Sequence, residues 1–139
     1  MLPKAIAFVS TVALLVWMGY FLLGCLPLLI LKHDTPADAR FIRGFFNVHY
    51  VVLMGIATVG ALGFAVLDRR FMALVMACVA CIGFAARRGF LSRMDRLRST
   101  MTTTDPLAIR GFRQLHVAGI ILNVSLLVGF GLAITRIEF

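Results

Sequence analysis

The chain has 139 residues, 61% of them hydrophobic and only 14% charged, with a formal net charge of +8. A water-soluble domain of this size is not so apolar, and charge is missing from long stretches, which sets aside the soluble enzyme and the free-standing nucleic-acid-binding domain. Three cysteines, an odd number and all within apolar segments, argue against a disulfide framework.

Spanning a bilayer takes about 20 apolar residues, and a span must satisfy its own backbone hydrogen bonds, so apolar runs of that length are helices. The first runs from about 5 to 31. Lys4 gives it a weakly basic start, but its apolar run is too long for a signal-peptide core and no small-residue cleavage site comes after it, so it reads as a retained helix. It carries Trp17, Gly19 and Tyr20, then Gly24, Cys25 and Pro27, with a kink expected at the proline. His33 lies in the polar connection and reads as solvated. The second helix, 36–67, opens on Thr35, Pro36 and Asp38, a variant of the capping box, and Gly55, Ala57, Gly60 and Gly63 suggest a close-packed face. Asp68, Arg69 and Arg70 leave room only for a tight hairpin into a third helix, 71–87. The connection 87–105 is the one sizeable loop, with a short basic interfacial helix around Ser92, Met94, Asp95 and Leu97 and a polar break at Thr100–Thr104. Asp105 and Pro106 start the fourth helix, 106–135. The expected fold is all-α: a single integral membrane domain over 1–139, a four-transmembrane-helix bundle running up-down-up-down.

The basic excess reads as topology rather than as nucleic-acid binding. Lys4, Arg69, Arg70 and Arg136 fall on one side of the bundle and the other ten cations on the opposite side. The positive-inside rule then places the 1–2 and 3–4 connections in the cytoplasm and both termini outside it, with a bacterial inner membrane as the expected location. The basic connections suit anionic lipid head groups. The apolar, glycine-faced helices also suit a membrane-protein partner or a homo-oligomer.

An eight-residue string occurs twice. Residues 42–49 read IRGFFNVH and residues 109–116 read IRGFRQLH, each leading into a long apolar run. At the same offset Arg69 matches Arg136 and Thr58 matches Ser125. Either helices two and four are a parallel internal repeat, or two helices entering from one basic face share a collar by convergence; both stay open. Ionisable residues at membrane depth are costly and tend to face the bundle interior. His49 and His116, at matching places, are therefore the leading candidates for chemistry: a bis-imidazole pair holding haem or another metal, or two structural polar contacts. His116 and Asn123 share a helical face with Gly119 between them. Arg43 and Arg110, six residues before the histidines, are candidates to snorkel toward acidic groups of such a cofactor, though off the histidine faces. Cys78 and Cys81, near Met72 and Met76, put two sulfurs on one face of helix three; they read as packing residues, with a soft-metal pair as the alternative. The twelve phenylalanines are expected mostly toward lipid or the interfaces. No Asp or Glu lies inside a span, which counts against a carboxylate-based proton pump, and there is no phosphate-binding glycine loop and no Ser-His-Asp set.

The arrangement Arg110, Phe112, Leu115-His116 and Asn123, with His49 early in helix two, Trp17-x-Gly19 in helix one and the basic stretch Arg93–Arg98, resembles the transmembrane-protein-205-like family of small four-helix membrane proteins. A family serine between histidine and asparagine is replaced here by Gly119. The resemblance covers most of the chain but implies little about activity; eukaryotic relatives are linked to resistance to platinum drugs. Helix one (LLVWMGYFLLG) and the buried histidines also show a fainter similarity to small four-helix haem membrane proteins, the protoporphyrinogen-oxidase-like and copper-resistance-D-like groups. Three functions are thus expected: a protein binding b-type haem or another tetrapyrrole or metal, a small-molecule or metal transporter or resistance protein, and an accessory subunit of a larger membrane complex.

Overall fold

In a computed structural model, which describes residues 1–30, 36–100 and 106–136, four helices succeed one another: α1 (Leu2–Leu28), α2 (Pro36–Val66), α3 (Arg70–Thr100) and α4 (Pro106–Ile134). All four are long and apolar enough to cross a membrane. The chain is a small polytopic membrane protein with an all-α bundle. Successive helices pack side by side and α4 closes back on α1, so α2 and α4 stand on opposite corners. The expected caps at Thr35 and Asp105, and His33, lie outside the described residues.

At about 1.5 Å per residue the 31 residues of α3 extend roughly 46 Å, well beyond a hydrocarbon core of about 30 Å. That excess corrects the expected loop at 87–105. The basic stretch through Thr100 is not a separate interfacial helix but the continuation of α3. Its cause is a buried stripe, Leu91 and Met94 with Leu97 packed alongside, that seats the extension against the same core as the spanning part. A bidentate ion pair adds to it. Arg43 Nε and Nη2 on α2 donate to the two carboxylate oxygens of Asp95 on α3 at 2.9 and 2.8 Å. Arg87 Nε donates to Asn47 Oδ1 at 3.0 Å beside it.

At the other end the α2–α3 hairpin is as tight as expected. Arg69 N–H donates to Phe64 O and Asp68 N–H to Ala65 O, with Asp68 in the left-handed region at φ 55°. This is a Schellman C-cap with aspartate where glycine is usual. Pro27 falls one residue before the end of α1, in its last turn, so it does not bend a continuing helix.

The core has two apolar clusters. One, at the basic end, is built on Phe21, Ile42, Phe46, Tyr50, Met94 and Phe112. The other, toward the hairpin, is built on Leu14, Met18, Leu53, Met76 and Phe130. Phe21, Phe46, Phe64, Phe112 and Phe130 are buried, while Phe8, Phe41, Phe71 and Phe84 are exposed, as expected of rings facing lipid or the interfaces. Aromatic rings carry much of the core because each buries a large apolar area. Glycines permit the closest approaches. A Cβ on Gly63 would meet the backbone of Ala7 at 3.2 Å, and one on Gly60 would crowd Ser10 and Met76. Gly55, placed on the same close-packed face in the sequence, is exposed and has open space around it.

Candidate functional site

Three of the five buried polar residues among the described ones are the two histidines and Asn123. His49, His116 and Asn123 are 2%, 0% and 1% exposed. The placement is a consequence of helical phase. His49 on α2 lies between the buried positions Phe46 and Leu53, and His116 on α4 lies between Phe112 and Ile120.

His49 is held by aromatic rings. Phe21 stacks on it with ring centroids 3.7 Å apart, Trp17 lies nearly parallel at 6.3 Å, and Tyr50 approaches edge-on at 5.1 Å. Trp17 Nε1 donates to the backbone carbonyl of His49 at 3.1 Å, tying α1 to α2 without using the imidazole. Phe21 therefore covers a face of the His49 ring, whereas neither ring nitrogen makes a hydrogen bond of good geometry among the described residues. The Asn123 amide comes close to the ring: Nδ2 donates one of its two N–H groups to Met18 O at 3.0 Å, and Oδ1 makes no hydrogen bond of good geometry among the described residues. The Tyr50 hydroxyl is likewise buried without a partner.

Phe46 connects the two histidines. Its ring meets His116 edge-on at 5.7 Å and Phe21 edge-on at 5.2 Å, and Phe21 in turn rests on His49. Gly119 makes room for that ring: a Cβ there would run into Phe46. The glycine that separates His116 from Asn123 is thus the seat of the ring lying between α2 and α4.

A cleft of about 980 Å³ opens between α1 and α2 at the basic end. Trp17, Tyr20, Phe21, Phe41 and Phe45 supply its aromatic walls, His49 lies at its inner end and Arg40 lines it nearer the start of α2. On α2 its lining recurs every three or four residues, from Ala37 to Val48 and His49, which is one helical stripe. Of the two histidines, only His49 lines it.

The other expected site residues are dispersed. Arg43 is engaged by Asp95 and acts as a clamp between α2 and α3. Arg110 is exposed on the outer face of α4. The repeated strings thus share a buried histidine but not their surroundings. Arg43 is paired and Arg110 exposed; Phe46 is in the core and its counterpart Arg113 is outside. Cys78 and Cys81 are exposed on α3, so they do not pack the interior of the bundle, and the buried cysteine is Cys25. Among the described residues no three His, Cys, Asp or Glu side chains converge on one point.

Arg40 belongs to no motif in the sequence, and Phe21 lies within the LLVWMGYFLLG stretch of helix one without being singled out there. The signal for Arg40 is its place beside Ala37, Phe41, Phe45 and His49, a strip of α2 that recurs every fourth residue. The repeated string masks that strip, because it points to Arg43 instead. No family model matches this chain, and neither does any curated protein or solved structure.

Proposed function

We propose that this membrane protein binds a flat, largely apolar cofactor with an acidic edge, b-type haem or a related tetrapyrrole, in the α1–α2 cleft. His49 would supply the imidazole and Arg40 would face the carboxylates. The observation that carries this reading is a membrane-buried histidine, both ring nitrogens unpartnered, at the inner end of an aromatic cleft. A buried polar group without a partner is costly, more so in hydrocarbon, and a ligand atom on the imidazole would remove that cost. Trp17, Tyr20 and Phe45 offer π-faces to a planar ring. Arg40 precedes His49 by nine residues, about 14 Å along the helix, which suits acidic groups kept at the head-group level while the ring lies deeper.

The residues fit such a group on one condition. Both ring nitrogens are buried, so the side chains packed around the edge of the imidazole must move aside before His49 can ligate. A bound haem would supply one-electron transfer or porphyrin chemistry. The chain's own part is to bind and orient the ring, exclude water and hold the acidic edge. His116 does not line the cleft, so in this reading His49 alone would supply an imidazole to the group.

The test is an absorption spectrum of the detergent-purified protein, oxidised and dithionite-reduced, prepared with haem supplied during expression. The expected result is a Soret band with reduced α and β bands that is lost in His49→Ala. A colourless wild-type protein, or a spectrum unchanged in His49→Ala, would overturn the proposal.

A further inference from the structure

The outward face of α4 carries a feature that the α1–α2 cleft does not use. A shallow groove of about 500 Å³ is lined by Arg110, Arg113, Gln114, Val117, Ala118 and Ile121. These positions fall within one strip of the helix, with polar side chains in its first turns and apolar ones beyond. Both guanidiniums are exposed, and neither takes part in an ion pair among the described residues. The comparable cations facing inward are occupied: Arg43 by Asp95 and Arg87 by Asn47.

We propose that this face binds one anionic glycerophospholipid, its phosphate held by Arg110, Arg113 and Gln114 and one acyl chain lying along Val117, Ala118 and Ile121. Two arguments fix the occupant. The first is charge. Two unpaired arginines one turn apart match a phosphate in geometry as well as sign, because the guanidinium fork donates in pairs. The second is the apolar strip beyond the arginines. From Arg110 to Ile121 is about 16 Å along the helix, and the groove continues past the cations over apolar side chains, where a free phosphate ion would find nothing. Ala118, the small side chain beside Val117 and Ile121, leaves the notch in which a chain lies. The site faces away from the cleft and does not depend on the cofactor reading.

The experiment is native mass spectrometry of the full chain, extracted from vesicles of phosphatidylcholine with a minor share of phosphatidylglycerol, counting retained phosphatidylglycerol. Wild type should retain one molecule. R110Q/R113Q should lower that occupancy about tenfold or more, whereas R88Q/R93Q, which removes two exposed cations from α3 at the same end, should leave it intact. Ala118→Leu, an exposed substitution that fills the notch without touching charge, should also lower it, and circular dichroism verifies that each variant stays helical. Equal losses in the two arginine pairs would show only a diffuse basic field and overturn the proposal. So would full retention in Ala118→Leu, or displacement of the lipid by inorganic phosphate, since either reduces the site to its charge.

Discussion

Two side chains in the interior separate packing from function. Gly119 is required by shape: Phe46 is fully buried and hemmed in by Phe21, Tyr50, Phe90 and His116, so it has little room to yield to a new methyl group. Gly119→Ala is expected to destabilise the bundle by about 1–3 kcal/mol, the usual range for overpacking. A thermal melt monitored by circular dichroism in detergent measures it, and an unchanged melt would mean that Phe46 is free to move. His49 is the opposite case. Its backbone carbonyl holds Trp17 whatever the side chain is, so a substitution probes the imidazole alone. With both nitrogens unpartnered, His49→Leu is expected to leave the cofactor-free protein as stable or more stable, by about 1 kcal/mol, because a buried unsatisfied group is replaced by an apolar one of similar bulk. A clear loss of stability would show that the imidazole serves as a structural contact, the second reading of the histidines.

The helices show how far a sequence reading carries and where it stops. Four apolar runs, the prolines at 36 and 106 and the three-residue hairpin were legible because lipid permits so few backbone solutions. The end of α3 was not legible, since charge marks where a helix leaves hydrocarbon and says nothing about where it stops being a helix. Arg87 and Arg88 end the span, while the spacing of Leu91 and Met94 carries the helix on. The burial of both histidines was legible from their cost in a membrane. Their differing access to the cleft was not, because it depends on which neighbours α1 brings. The Arg43–Asp95 pair was likewise hidden, as it joins residues of two helices through geometry alone. Its side chains are 34% and 39% exposed, so solvent discounts its strength even with ideal bidentate geometry. A double-mutant cycle, Arg43→Gln with Asp95→Asn, is expected to give a coupling of about 1 kcal/mol that weakens as salt is raised. At the hairpin the exposed Asp68–Arg70 pair contributes little, whereas the left-handed backbone at Asp68 carries strain. Asp68→Gly is therefore expected to stabilise the bundle by about 0.5–1 kcal/mol, read from the same melts.

At the scale of the molecule, charge and both proposed sites share one end. The α1–α2 cleft with Arg40, the lipid-facing groove on α4 and the Arg43–Asp95 clamp all sit at the end where α2 and α4 begin. Among the described residues nine cations belong to that end, and the hairpin end has Arg69 and Arg70 with Asp68 between α2 and α3. If the positive-inside rule governs this chain, the basic end faces the cytoplasm, and a cofactor or lipid entering the bundle is presented from the cytoplasmic leaflet. Single-cysteine labelling with a membrane-impermeant maleimide decides it. In a background with Cys25, Cys78 and Cys81 replaced by serine or alanine, Ser92→Cys reports the basic end and Asp68→Cys the hairpin, both positions being accessible. In intact cells Asp68→Cys is expected to label and Ser92→Cys to label only after the membrane is opened. The reverse pattern would place the arginine-rich end outside. It would leave both sites as chemically described but move their supply of ligand to the other leaflet, where the anionic lipids that attract basic segments are not concentrated.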